Sequence, residues 1–397
     1  MSFERTADSR QGAASGFFRS RWVEAPSGVD ELQPTALAPG FRAAGVAAGL
    51  KASGGTDVGL VACDAAEVSS ALLLTRNAAA AAPVRVCRDR CDAGGLRAAV
   101  VNSGNANAAT GEQGYRDAVA MQERAAGALG LEPAAVAVAE TGTIGVPLRM
   151  EPLLEGIDRA AVALDAGGGE AFSVAIMTTD RGPKRCCVRA GGVTLSAQAK
   201  GAGMIEPGFA TMLCFVQTDA IVTEPDSALR AAVGPSFERI TVDGQMSTND
   251  AVLLQASGGS GEHLPQGLLE AVLLQLALEV VADGEGATRS GRIEARGAAS
   301  AEEAEAAARA IANSPLVKTA LFGHDPNWGR IAQAAGMALA GEDLAELGPE
   351  WIDAEELGAD VAEAEISVEL GRGEHSAHVY FSDLGHGYVE VNSEYTT

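Results

Sequence analysis

Short apolar runs of strand length alternate with longer helical segments along nearly the whole chain. This interleaving restricts the chain to layered architectures in which sheets are covered by helices. Residues 58–63, 97–102, 212–216, 318–322, 364–370 and 377–381 are rich in Val, Ile and Leu or alternate in polarity, and predict strands. Residues 185–199 read as a hairpin turning at Gly191-Gly192. Helices are predicted over 115–129, closed by Gly130, and over 267–282, ending at the Asp283-Gly284 turn. A further helix runs from the Ser300/Glu303 capping box to about residue 312. The class is therefore α/β or α+β, with layered mixed sheets and flanking helices. Residues 1–35 read as a polar, irregular extension in which Phe17, Phe18 and Trp22 are the candidates for burial.

Hydrophobic residues make up 47% of the 397, enough for a sizeable core, and the formal net charge is −24. A surface this acidic repels nucleic-acid phosphate and anionic membranes, so neither is an expected partner. The longest apolar stretch, 268–281, is interrupted by Glu270, Gln275 and Glu279 and is too short to span a bilayer. The opening MSFERTADSR has no apolar core of a secretory signal. The cysteines at 63, 87, 91, 186, 187 and 214 lack framework spacing and read as reduced thiols. The expected location is the cytoplasm. His375 and His378, three apart in a strand, would point to opposite faces, and no metal-ligand cluster is expected. Trp328 reads as a packing anchor.

The stretch most informative about chemistry runs from Lys200 to Cys214: Lys-Gly-Ala-Gly-Met-Ile-Glu-Pro-Gly-Phe-Ala-Thr-Met-Leu-Cys. It is loop-like to Gly208 and strand-like beyond Thr211, with the small Ala210 just before the threonine. A hydroxyl in such a place can attack the preceding carbonyl, and hydrolysis of the resulting ester leaves Thr211 as a new N-terminus. The new α-amine, with a reference pKa of about 7.7–8, suits a general base near neutral pH. One residue then supplies nucleophile and base. By local pattern alone, an ordinary strand threonine beside a glycine-rich turn remains the alternative.

This stretch resembles the cleavage-site signature of the ornithine acetyltransferases, the bifunctional glutamate N-acetyltransferases of arginine biosynthesis. Further segments resemble the family in the same order: Asn102-Ser-Gly-Asn-Ala-Asn-Ala-Ala-Thr-Gly111, Thr141-Gly142 with Ile144-Gly145, and Met177-Thr-Thr-Asp180 with Pro183-Lys184. They continue with Asp283-Gly-Glu-Gly-Ala-Thr288, Ser314-Pro-Leu-Val-Lys-Thr-Ala320, Asp325-Pro-Asn-Trp-Gly-Arg330 and Asn392-Ser-Glu-Tyr-Thr-Thr397. The resemblance implies a self-processing fold of the N-terminal-nucleophile kind, cut between Ala210 and Thr211. Residues 36–210 and 211–397 would be its two fragments, intertwined in one unit and paired into a heterotetramer of two long and two short pieces. It implies Thr211 as nucleophile, Thr141 and Gly142 as the oxyanion hole, and substrate contacts from Thr178, Lys200, Thr211, Glu285, Asn392 and Thr397. Lys200 would meet an α-carboxylate and Glu285 the side-chain ammonium of ornithine. Thr179 competes with Thr178 for its assignment.

The implied reaction is ping-pong acetyl transfer. N-acetylornithine acetylates Thr211 and releases ornithine, and glutamate takes the acetyl group to give N-acetylglutamate. No cofactor or metal is needed for this cycle, and acetyl-CoA is the possible co-substrate of a second activity. Glu140 stands where the family has a serine, Gln245 and Met246 replace Asp-Thr, and Arg181-Gly182 is unusual after Thr-Thr-Asp. These departures keep open an acetyltransferase of secondary metabolism. A self-processing amidase or aminopeptidase would cut in the same place but pass the acyl group to water. A non-catalytic amino-acid-binding protein would remain uncut.

Overall fold

The computed structural model describes residues 16–206, 212–342, 344 and 347–394. Among these residues the chain builds three sheets. The largest runs, in spatial order, Val29–Glu31, Lys184–Ala190, Val193–Lys200, Leu213–Thr218, Ala251–Ala256 and Ser69–Leu74. Its inner strands are buried on both faces, and their side chains alternate between two cores. Leu213 and Phe215 face one core, while Cys214 and Val216 face the other. Helices Pro225–Val233 and Leu268–Ala282 cover the second face.

Across the first face lies a four-stranded sheet of Phe41–Val46, Val58–Cys63, Ala98–Asn105 and Val136–Thr143. The Phe172 and Phe215 rings meet edge-on between the two sheets, 5.2 Å apart. Helices Ala82–Arg90, Gly111–Leu129 and Met150–Val162 pack on this second sheet. The order is thus helices, sheet, sheet, helices. A third sheet, centred on Ser290–Ala298 and His375–Ser382, carries Ala301–Asn313 and its own apolar core. The fold is a mixed α/β structure of layered sheets with flanking helices. Among the described residues no helix is long and apolar enough to cross a membrane.

Most local expectations hold. Gly111–Leu129 stops at Gly130, whose φ of 66° lets its N–H return to Ala126 O and Gly127 O. Ser300 Oγ accepts from Glu303 N at 3.1 Å, and Glu303 Oε1 accepts from Ala299 N at 3.1 Å. The hairpin turns between Ala190 and Val193. All six cysteines are free thiols.

Residues 318–322 are not a strand. They end the helix Pro315–Phe322, where Ser314 caps Val317 N and Pro315 occupies the first turn. Val317, Lys318, Ala320 and Leu321 are buried, which is helical spacing in a run too short to separate from a strand by composition. Trp328 is not a packing anchor: it opens the helix Trp328–Ala338 with 41% of its surface exposed. In the N-terminal stretch, Phe17 is buried and Val29–Glu31 pairs with Lys184–Ala190 at the sheet edge.

Candidate functional site

Lys200 closes the strand Val193–Lys200 and pairs in register with Leu213, two residues after Thr211 in the chain. It is 2% exposed, and its Nζ donates to Thr141 Oγ1 at 3.2 Å. A hydroxyl that accepts from an ammonium keeps its own hydrogen to donate elsewhere. Burial lowers the pKa of Lys200, while Asp180, the foremost of the nearby anions, favours its charge. Next to Thr141, Gly142 has φ 131°. A Cβ there would overlap the Gly104 backbone and stand 2.6 Å from Asn105 N, so the position admits only glycine without backbone movement. The asparagine-rich loop buttresses this strand end. Asn107 Nδ2 donates to Glu140 Oε1 at 2.9 Å, and Asn249 Nδ2 donates to Ala106 O at 2.6 Å and Glu140 O at 2.9 Å.

The Thr178–Lys184 segment is tied to the turn carrying Glu285 by charges distant in sequence. Lys184 Nζ donates to Asp180 Oδ1 and Asp283 Oδ2, both at 2.6 Å. Arg181 Nε reaches Asp283 Oδ1 at 2.7 Å, and its guanidinium also donates to Ala282 O and Ala287 O. Burial alone would push Asp180 up, but Lys184 and Lys200 outweigh it and hold the carboxyl well below its ordinary range. Asp180 also accepts from Thr178 N at 3.0 Å and Gly201 N at 2.7 Å. Both Thr178 and Thr179 are partly exposed, leaving either able to contact a ligand.

Glu285 N donates to Ala202 O at 2.8 Å, and Asn392 Nδ2 donates to Glu285 Oε2 at 2.8 Å. The helix His386–Glu394 that carries Asn392 lies against Gly286, where φ is 69° and a Cβ would overlap the Tyr388 and Gly387 backbone. Thr141, Gly142 and Lys200 therefore form one group, and Glu285 and Asn392 a second. Residues 201–203 link them, with Gly201 N donating to Asp180 Oδ1, Ala202 O accepting from Glu285 N and Gly203 lying against the Glu285 carboxyl. Ala210, Thr211 and Thr397 lie outside the described residues.

Sequence reasoning assigned no role to Asp180, Lys184, Asp283 or Asp250, although the first three fell within segments that resemble the family's. Asp250 is fully buried, and its Oδ1 accepts from Met212 N, the amide beside Thr211, at 2.8 Å. Burial pushes its pKa well up, against the opposing bond from Met212. The signal was an acid within a strand-leading Ser-Thr-Asn-Asp run, but its partner lies 38 residues away.

Glu140 does not enter the Thr141 side. Side chains alternate along a strand, and its carboxyl points toward Asn107, beside the helix Gly111–Leu129. Burial pushes it up to about 8 against the hydrogen bond from Asn107, and among the described residues Oε2 has no partner. An acid whose pKa is raised on folding binds more protons folded than unfolded between the two values. Stability from this group therefore falls as pH rises from about 4.5 to about 8, and levels beyond. Glu140→Gln is expected to remove that loss, so its urea midpoint should match wild type near pH 5 and exceed it near pH 8.5. Equal midpoints at both pH values would refute the assignment.

Comparison with known proteins follows the same residues. A family model described as the ArgJ family matches residues 42–397. The protein "Arginine biosynthesis bifunctional protein ArgJ" of Mycolicibacterium paratuberculosis is 43% identical over 384 residues, covering 90% of this chain and 95% of that protein. The protein of the same name from Symbiobacterium thermophilum is 44% identical over 391 residues, covering 90% and 97%. A solved chain of ornithine acetyltransferase complexed with ornithine, from Mycobacterium tuberculosis, is 38% identical. It covers 45% of this chain and 98% of its own, with a TM-score of 0.42. With the family's segments present in order and the match reaching the last residue, the chain belongs to the ArgJ family.

Proposed function

We propose that this protein transfers an acetyl group from N-acetylornithine to glutamate through an acetyl ester on Thr211. It is an acyltransferase of arginine biosynthesis. The observation that carries the reading is the Lys200–Thr141 contact at 3.2 Å, on a lysine paired in register with Leu213. It puts a buried cation and a hydroxyl donor beside the strand that Thr211 leads into.

The chain first cuts itself between Ala210 and Thr211, freeing the threonine amine. The Thr211 hydroxyl then attacks the acetyl carbonyl while the amine takes its proton. The Thr141 hydroxyl and Gly142 N–H receive the oxyanion, and the amide C–N bond breaks. Ornithine leaves with the proton, and glutamate attacks the ester in a second pass. Lys200 meets the α-carboxylate, Glu285 with Asn392 holds the ornithine ammonium, and Thr178 and Thr397 complete the substrate contacts. Acetyl-CoA is a second donor in this reading, and no other cofactor is required. The enzyme works in the cytoplasm as two long and two short fragments. An amidase reading differs only in sending the acetyl group to water.

Intact mass under denaturing conditions, before and after N-acetylornithine, tests the cycle. Two fragments split at Ala210–Thr211, with one acetyl adduct on the second, are expected. A single unmodified mass from folded protein would refute it. Arg181→Ala is expected to loosen the Asp283 turn and raise KM for N-acetylornithine about fivefold with little change in kcat, the scale of one net hydrogen bond. An unchanged KM would show that Lys184 alone holds the turn.

A further inference from the structure

The chain contains 25 arginines but only four lysines: Lys51, Lys184, Lys200 and Lys318. Three of the lysines are at most 3% exposed and the fourth, Lys51, is half-buried. Arginine supplies the exposed cations of this protein, so lysine stands where a compact ammonium is needed inside. Lys184 is matched by Asp180 and Asp283, Lys200 belongs to the site already described, and Lys318 donates to Ser382 O. Lys51 takes no part in the acetyl-transfer cycle proposed for this site.

We propose that Lys51 admits glutamate as acceptor, its ammonium taking the side-chain carboxylate that ornithine lacks. The inference rests on the acetyl-transfer reading and adds an acceptor-specificity residue to it. The Lys51 stem lies against the strand next to the oxyanion segment: a Cβ on Gly104 would stand 3.2 Å from Lys51 Cγ, and Gly104 pairs in register with Gly142. Its backbone is fixed by Asp57, a fully buried carboxylate that accepts from Ala48 N, Leu50 N and Lys51 N at 2.5, 2.6 and 3.0 Å. Asp57 O in turn accepts from Ser103 N at 2.8 Å, locking this turn to the strand before Gly104.

The charge of Lys51 is not spent. Among the described residues its Nζ donates to the neutral Thr56 O at 2.7 Å and makes no salt bridge. Burial lowers its pKa; nearby Asp57 favours its charge, whereas Lys200 opposes it. Two ammonium groups brought near one another are relieved by an anion between them. The acceptor supplies one. Glu285 suits the ammonium of ornithine, but it repels the extra carboxylate of glutamate, so a site that takes both in turn needs a second cation. A flexible four-carbon stem beside Gly104, the register partner of Gly142, provides it.

The test uses the mature enzyme carrying Lys51→Met or Lys51→Arg, with the two half-reactions measured separately. Acetylation of Thr211 by N-acetylornithine, followed by mass, should stay within about twofold of wild type. The KM for glutamate in the second half should rise roughly 10–100-fold in Lys51→Met, as for loss of a charge-assisted hydrogen bond, and far less in Lys51→Arg. The preference for glutamate over glutamine as acceptor should collapse in Lys51→Met, which a merely structural lysine would not cause. Unchanged glutamate KM and preference, or an equal fall in both half-reactions, overturns the role of Lys51 and leaves the acetyl-transfer reading standing. Failure of the wild-type enzyme to acetylate overturns both.

Discussion

Thr211→Ala is expected to give an uncut chain with no acetyl transfer. In the proposed cycle the substitution removes the attacking hydroxyl of both the self-cleavage and the acyl-transfer step, and without cleavage no free amine forms at residue 211. Losing a nucleophile and its base together lowers kcat by roughly 10⁵ or more, so residual activity should lie near background. Thr211→Ser keeps the hydroxyl and, once cut, the amine, and should retain both steps at reduced rate. Denaturing mass and an ornithine-release assay read the two outcomes. Cleaved alanine protein, or turnover by it, would remove Thr211 from the mechanism.

Gly142→Ala should have the second largest effect. The φ of 131° is strained for any residue with a Cβ, and the methyl would meet backbone at Gly104 and Asn105, which cannot swing aside as a side chain can. The Thr141–Gly142 segment must shift, carrying the Gly142 N–H away from the oxyanion position of the proposed cycle. Loss of one such donor costs about 10²–10³ in kcat. Folded variant protein should therefore show that fall with a modest change in KM, together with a lower melting temperature. Thr141→Val removes the other donor without the backbone clash and should reproduce the kcat fall, with a lower melting temperature because the buried Lys200 ammonium loses the hydroxyl it donates to. Normal kcat in both variants would sink the oxyanion assignment.

What could be read in advance was what is local. Gly130 closing its helix, the Ser300 cap and the 185–199 hairpin each depend on neighbours within a few residues, and each is found. The 318–322 run misled because five apolar-rich residues fit a strand or a short buried helix equally, and only the Ser314-Pro315 start distinguishes them. In the site, Lys200, Thr141, Glu285 and Asn392 stood out by resemblance, and the structure brings them into two adjoining groups. The network joining those groups was invisible because Lys184 and Asp283 are 99 positions apart, and Arg181 and Asp283 are 102 apart. No window along the chain relates them. Glu140 was noticed as a departure, but only the alternation of a placed strand shows that its carboxyl faces away from Lys200.

The order of strands in the largest sheet has a consequence for how this protein comes apart. From one edge, three strands precede residue 210, two follow it, and the last precedes it again. A precursor with that weave keeps both pieces on one chain, so its melting temperature depends on protein concentration only through the pairing of copies. With the proposed cut at Ala210–Thr211 made, the same contacts join two separate molecules, and unfolding releases both. The melting temperature of the mature form should then climb with protein concentration, as mass action requires. Each freed piece also carries strand edges that only the other can cover, so heated enzyme should fail to recover on cooling where the uncut Thr211→Ala chain succeeds. Maturation would thus turn a reversible fold into one that lasts only as long as it is never fully opened.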